Sequence, residues 1–190
     1  MRESQTEVCA TVAEKMRILP IGLFALVLVV GLAPKTRAQA AGIEKLGAYI
    51  GKWKSTGTLL DTAYTKAASA AGETNCQWSA SHGFMICDQL VNLSGEVHND
   101  VSIYTYDEKT GTFAFVGVSR DAPRPRTPKL TIEGNIWTYA NEFDDGPKHI
   151  RFRTVNEFKS ANSITWRSEY SEDGIHWTLT GSGNVTRVQS

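Results

Sequence analysis

The chain has 190 residues, with 20 basic and 20 acidic side chains and a formal net charge of zero. The lack of a basic excess argues against a nucleic-acid-binding protein. The proportions of hydrophobic (41%) and charged (21%) residues are ordinary, which excludes collagen, coiled-coil and wholly disordered chains. These averages indicate a globular protein and say little about its function.

An apolar segment near the N terminus predicts export. Residues 18–33 are almost free of polar groups, Lys15 and Arg17 precede them, and the triplet Ala38-Gln39-Ala40 follows. This order is typical of a secretory signal peptide cleaved after Ala40, so we predict a periplasmic or secreted bacterial protein without a membrane anchor after cleavage. The alternative is a transmembrane helix, which needs about 20 apolar residues.

The translation start has two interpretations, because the polar residues 1–15 make the region before the apolar segment long, and Met16 is a second candidate start. Under either interpretation the signal peptide ends at residue 40 and residues 41–190 form one domain. A chain of that length buries about two thirds of its surface without further support.

Two cysteines remain after cleavage, since Cys9 lies in the removed segment. Cys76 and Cys87 flank a predicted turn at residues 81–83, so folding about that turn places them on adjacent strands. In an oxidising compartment such a pair predicts a disulfide. The alternative is two reduced, buried thiols. The chain has no C-x-x-C motif, and we predict no metal site.

Hydrophobic residues alternate with polar ones through most of the domain, which is typical of strands with one buried face. Turn sequences containing glycine separate these stretches, as at Asp107–Gly111 and Glu172–Gly174. We therefore predict an all-β, antiparallel up-and-down meander of about 8–10 strands that closes into a barrel by pairing the last strand with the first. The predicted strands lie near residues 50–60, 74–80, 84–93, 99–107, 112–120, 127–133, 136–143, 148–158, 162–171 and 175–187.

Three local features accompany this meander. Residues 41–49 are either a short helical turn or an extended lead-in, and residues 61–72 form a flap or short helix. Residues 120–128 are rich in proline and arginine; we expect a stiff solvated loop, the alternative being a basic lip over an opening. If the strands near 148–158 and 162–171 pair, Arg153 lies opposite Glu169 in a solvent-exposed ion pair.

Three motifs resemble a known family. Gly51-Lys52-Trp53 resembles the G-x-W of lipocalins and other calycins, Tyr106–Gly111 resembles a Y-D-x-x-T-G turn, and Ser171–Trp177 resembles an S-x-D-G-x-x-W hairpin. In this order they resemble an uncharacterised family of lipocalin-like exported bacterial domains of unknown function. The resemblance implies a lipocalin-like barrel with Trp53 as a plug at its base, and it assigns no catalytic residue.

Aromatic residues supply the candidate ligand site. On the predicted apolar faces, five of them would line a cavity suited to a small hydrophobic or aromatic molecule, or would simply be core. These residues are Trp137, Tyr139, Phe152, Trp166 and Tyr170.

Motifs for chemistry are scarce. There is no G-x-S-x-G, no phosphate loop and no dinucleotide fingerprint, and the four histidines of the domain show no metal-binding spacing. We therefore predict no cofactor and no catalytic residue. A haem-binding barrel related to the nitrobindins is an alternative that needs His98 or His176 to point inward.

Three functional hypotheses follow. The first is an exported, non-enzymatic barrel that binds a small apolar ligand. The second is an isomerase or hydrolase that uses polar groups in the barrel, which a convergent set of inward Asp, His or Arg would favour. The third is a structural module of the bacterial envelope, which a barrel filled by side chains would favour.

Overall fold

The computed structural model describes residues 42–122 and 124–189. The predicted signal peptide and its cleavage site lie outside these residues. A 3-10 helix, Glu44–Tyr49, precedes ten strands, and no helix of the described residues is long and apolar enough to cross a membrane. The strands are β1 Gly51–Leu59, β2 Ala68–Trp78, β3 Met85–Leu93, β4 Glu96–Asp107, β5 Thr112–Ser119, β6 Lys129–Glu133, β7 Ile136–Asp145, β8 Lys148–Ser160, β9 Ser163–Ser171 and β10 Thr178–Arg187.

The strands form one closed antiparallel barrel in which each strand pairs with the next along the chain. β1 also pairs with β10, from Trp53 opposite Arg187 to Leu59 opposite Gly181. The predicted all-β meander and its closure are therefore confirmed. Closure leaves no unpaired edge along β1 and β10, the two strands where an open meander would expose backbone donors and acceptors.

The start of β2 differs from the prediction. Ala68–Gly72 pairs with Ser55–Leu59 of β1, so this segment is strand, and only residues 60–67 form the loop after β1. The sequence ASAAG contains no alternation of large apolar and polar side chains, which is the signal that predicts a strand. The 3-10 helix agrees with the helical alternative for residues 41–49.

One end of the barrel, which we call the closed end, is packed with side chains. Leu46 of the 3-10 helix and Trp53 of β1 are buried there, and Trp53 Nε1 donates a hydrogen bond to the backbone oxygen of Tyr49 at 2.8 Å. The guanidinium of Arg187 lies 4.0 Å from the centre of the Trp53 ring and donates to the backbone oxygen of Ala48 at 3.0 Å. Trp53 therefore lies where the helix and the last strand meet.

The predicted disulfide joins β2 and β3. Cys76 and Cys87 are directly opposite each other in the ladder, and their sulfurs are bonded. Both residues are buried and belong to the core at the closed end. The bridge therefore links a hairpin whose two strands are neighbours in the barrel wall.

Arg153 and Glu169 are opposite each other, as predicted, and Arg153 Nε donates to Glu169 Oε2 at 2.7 Å. The predicted exposure of this pair is wrong, because the Glu169 side chain is only 14% exposed. The Arg153 guanidinium lies 3.7 Å from the centre of the Trp177 ring, and this indole from the β9–β10 connection shields the pair.

Candidate functional site

The barrel is hollow between the closed end and the opposite, open end. Two adjoining hollows of about 530 and about 650 Å³ lie in its interior. We call them the first and second hollow. Six residues line both of them: Tyr49, Gln89, Asp100, Arg126, Thr154 and Asn156. Cavities of this size hold small molecules in other proteins.

The alternation of β4 is reversed relative to an ordinary barrel strand. Its residues that line the hollows include Asp100 and Ser102, whereas Val101 and Ile103 between them face outward and are 37% exposed. The strands beside it contribute single polar side chains to the lining, Gln89 of β3 and Ser119 of β5, next to apolar ones such as Val91 and Leu93. On this part of β4, polar side chains therefore face the interior and apolar side chains face the solvent.

Asp100 holds a charge at the interior surface. Arg126, in the loop before β6, donates through Nη2 to Asp100 Oδ2 at 2.7 Å. The Asp100 side chain is 14% exposed and that of Arg126 is 55% exposed. Reciprocal backbone hydrogen bonds of 2.8 Å between Gly117 and Arg126 fix the loop against β5. Asp100 Oδ1 is enclosed and has no hydrogen-bond partner among the described residues.

The loop of residues 120–128 is largely solvent-exposed where the structure describes it, as expected, but one of its arginines also contacts the barrel interior. Arg120 and Arg124 are exposed, but Arg126 lines both hollows and is held by a carboxylate from another strand. The basic-lip alternative therefore describes Arg126 better than the solvated loop does. The partner was missed because Asp100 is distant in sequence, and the two meet through β5, where Ser119 is opposite Asp100 and Gly117 is opposite Arg126.

Three tyrosines, two of them buried and one half-buried, line the second hollow. The hydroxyls of Tyr104 and Tyr139 are 3.3 Å apart, and Tyr49 lies with them in the lining. Burial raises the pKa of Tyr104 to about 12 and raises the pKa of Tyr49 and of Tyr139 further above the ordinary value. All three therefore present neutral hydroxyls at physiological pH.

Hydroxyl and amide groups complete the lining. Thr154 of β8 and Ser168 of β9 are hydrogen-bonded through their hydroxyls at 2.7 Å, and Gln89 Nε2 donates to Thr74 Oγ1 at 3.1 Å. Asn156 of β8 is 9% exposed and lines both hollows. The interior therefore offers several neutral donors and acceptors, together with the Asp100–Arg126 ion pair and the Glu142 carboxylate, which pairs with Arg151.

The five aromatic residues predicted to line a cavity lie in three places. Tyr139 lines the second hollow and Trp166 the first. Trp137 is 1% exposed and belongs to the core at the closed end. Phe152 and Tyr170 stack with centroids 6.4 Å apart, and Tyr170 contacts Tyr64 of the β1–β2 loop at 4.8 Å. They line neither hollow.

The four histidines also lie in different surroundings. His98 lines the first hollow and its Nδ1 is 3.0 Å from Asp121 Oδ2, whereas His82, His149 and His176 are exposed. Hydrogen bonds to Asp144 and Glu142 raise the pKa of His149. In the part of the chain that the structure describes, no three His, Cys, Asp or Glu residues are grouped as metal ligands.

Comparison with known proteins supports the fold. No protein-family model matches the chain, and no curated protein matches its sequence. The S-type phycobiliprotein lyase CPES from Guillardia theta aligns with a TM-score of 0.54 at 10% identity, covering 80% of this chain and 98% of that one. Rv2717c from M. tuberculosis aligns with a TM-score of 0.54 at 9% identity, covering 78% and 98%. At these identities the likeness shows a shared lipocalin-like barrel fold.

Proposed function

We propose that the protein binds a small, planar, partly polar molecule inside its barrel. The proposal rests on the alternation within β4, which places Asp100 and Ser102 inside the barrel while leaving Val101 37% exposed. Exposing large apolar side chains to water costs about 25 cal/mol per Å². A strand that only had to contribute to a stable core would have the opposite pattern, so we infer that the polar inner face of β4 serves a ligand.

The aromatic lining indicates the shape of that ligand. Trp166, Tyr104, Phe115 and Tyr139 all line one of the hollows, and flat side chains of this kind pack best against a flat molecule. Hydrogen-bonding groups placed among aromatic walls are typical of small-molecule sites. This composition favours an aromatic ligand with polar substituents over a purely apolar one such as an alkyl chain.

Binding of the fluorescent probe 1-aminoanthracene tests the proposal. Thr154 lines both hollows, so Thr154→Phe places a bulky ring where the probe would lie and should weaken binding by about tenfold or more. Thr186→Phe is the matched control, because Thr186 is exposed on the outer face of β10. If the probe does not bind, or if both variants weaken binding equally, the barrel interior is not the binding site.

A second candidate function is catalysis inside the barrel. Asp100, Arg126 and His98 all line the first hollow, and convergent charged groups in a cavity are the usual sign of an active site. Turnover of aryl esters and of enolisable aryl ketones tests this candidate. Activity that is lost in Asp100→Asn and kept in Asp88→Asn, a change on the outer face of β3, would support an enzyme. Equal rates in the two variants would exclude a role for Asp100.

We also propose that the protein is exported and that residues 1–40 are removed. The support is the order of charged, apolar and small residues before Ala40, together with the bonded Cys76 and Cys87, which fit an oxidising compartment. Intact mass of the protein purified from a bacterial periplasm tests both points. We expect a chain that begins at Ala41 and gains the mass of two hydrogen atoms only on reduction. A mass that retains residues 18–33 would contradict cleavage.

A further inference from the structure

We propose that Asn156 is the residue that selects the ligand, and that the group it recognises is an uncharged lactam or other cis-amide edge on a planar ring. This inference rests on the proposed binding function and specifies the chemistry of that same site.

The side-chain amide of Asn156 is available to a ligand. Asn156 is 9% exposed, and its side chain forms no hydrogen bond to a described residue. Among the described residues, the only enclosed side-chain polar atoms without a partner are Asp100 Oδ1 and Thr180 Oγ1. The Asn156 amide therefore keeps its small accessible surface, which faces the hollows that the residue lines. This accessible amide has hydrogen-bonding capacity that a ligand or water can satisfy, since polar side chains in protein interiors are as a rule hydrogen-bonded.

Aromatic residues flank this amide on both sides. In the barrel ladder Asn156 is directly opposite Trp137 of β7 and Trp166 of β9. Tyr49 lines both hollows and stacks on Trp137 with ring centroids 5.5 Å apart. A ligand that bonds to Asn156 is therefore in contact with rings, and a planar ligand uses both the amide and the rings.

The amide geometry selects the functional group. An asparagine side chain carries a donor, Nδ2–H, and an acceptor, Oδ1, in one plane. A partner that satisfies both at once needs an acceptor and a donor side by side in its own plane, as adenine has when asparagine binds it with two hydrogen bonds. The N–H and C=O of a lactam form such an edge.

The charges around the hollows indicate that this ligand is neutral. Each ionisable group of the lining has an opposite partner: Arg126 lies 2.7 Å from Asp100, Arg151 lies 3.2 Å from Glu142, and His98 lies 3.0 Å from Asp121. A charged ligand would face no unpaired counter-charge among these groups and would lose its hydration on entering. An uncharged lactam avoids that cost.

Displacement of 1-aminoanthracene by 2-quinolone and by 1-methyl-2-quinolone tests the inference. The two compounds share the ring and the carbonyl, and the methyl group removes the N–H donor. We expect the unaltered protein to bind 2-quinolone about tenfold more tightly than 1-methyl-2-quinolone. The methylated compound loses one hydrogen bond and leaves the Asn156 amide oxygen without a donor. Equal affinities for the two compounds, or no displacement by either, would overturn the inference while leaving 1-aminoanthracene binding, and with it the proposed function, intact.

The variant Asn156→Leu tests whether Asn156 causes the difference in affinity between 2-quinolone and 1-methyl-2-quinolone. It should lower the affinity for 2-quinolone to that of the methylated compound, so that the roughly tenfold ratio between the two affinities falls to about one. Asn184→Leu is the control, since Asn184 is exposed on the outer face of β10. A tenfold preference for 2-quinolone that persists in Asn156→Leu would assign recognition to another residue and overturn the inference.

Discussion

Asp100 places a carboxylate inside the barrel wall, where water has little access to it. Its ion pair with Arg126 offsets part of the cost of burial, because a charge-assisted hydrogen bond of 2.7 Å replaces hydration. Removing Arg126 leaves neither carboxylate oxygen with a hydrogen-bond partner among the described residues. We expect Arg126→Ala to lower the free energy of unfolding by about 1–2 kcal/mol, the range for a hydrogen bond to a partly buried charge.

Urea denaturation measures this effect, and a double-mutant cycle isolates it. Arg126→Ala in an Asp100→Asn background should cost clearly less than in the unaltered protein, since the amide is uncharged. Arg124→Ala, an exposed change in the same loop, should shift stability by less than about 0.5 kcal/mol. Equal costs in the two backgrounds would mean that the pair is not coupled in solution.

The buried tyrosines predict a dependence of stability on alkaline pH. Burial raises the pKa of Tyr104 to about 12, above the value of about 10 for an unfolded chain. Below pH 10 both states keep the proton, and between about pH 10 and 12 only the folded state does, so stability falls as pH rises through this window.

Unfolding experiments between pH 9 and 11 measure this loss. We expect Tyr104→Phe to show a smaller decline than the unaltered protein, because it removes one of the groups that must stay protonated. Ultraviolet titration should also show the phenolates of Tyr49, Tyr104 and Tyr139 only as the protein unfolds. Their appearance in the folded protein near pH 10 would contradict the burial described above.

At the scale of residues, the sequence predicts which residues pair better than it predicts which residues line the interior. The Cys76–Cys87 bond and the Arg153–Glu169 pairing follow from spacing about a turn, which is local information. Asp100 and Asn156 were not identified, because alternation divides a strand into two faces without stating which face is inside. In β4 the hydrophobic face is the outer one, so hydrophobicity alone points the wrong way.

At the scale of elements, glycines allow the first and last strands to approach closely. Gly57 and Gly183 are directly opposite each other, and the indole of Trp166 lies against both. A Cβ on Gly183 would lie 2.6 Å from Trp166 Nε1 and would also meet the backbone oxygen of Thr56. The seam between β1 and β10 therefore has no room for a side chain on this face.

We predict that Gly183→Ala lowers the free energy of unfolding by about 2 kcal/mol, the usual cost of overpacking a site that cannot expand. Gly47→Ala is the control, because its added Cβ would lie at an ordinary 3.7 Å from Trp78. Thermal or urea denaturation compares the two. If both substitutions have the same small effect, the seam is looser than described.

Most elements were predictable for the same physical reason. Strands with large alternating side chains and glycine turns, such as β8 and β9, were placed within a few residues of their observed bounds. The first part of β2 was missed since Ala, Ser and Gly give no periodic signal. Its strand conformation depends on pairing with β1 and β3, which is tertiary information.

At the scale of the molecule, the barrel is divided between stability and binding. The closed end carries the core, in which Trp53, Trp137 and the disulfide are buried together. Beyond the closed end the interior is open, with polar side chains in its lining. The loop of residues 60–67 lies at the open end, where the Tyr64 hydroxyl donates to Asp145 Oδ2 at 3.4 Å. Burial of side chains at the closed end thus stabilises the barrel, and the rest of the interior remains open to a ligand.

We propose the interior of the barrel as the binding site. Nuclear magnetic resonance of the five tryptophan indole N–H groups, followed during titration with 1-aminoanthracene, tests it most directly. We expect the Trp166 signal to shift most, because Trp166 lines the first hollow, and the Trp177 signal, beside Arg153 on the outer wall, to stay in place. If the probe shifts the Trp177 signal and leaves the Trp166 signal unchanged, it binds outside the barrel and the interior is not the binding site.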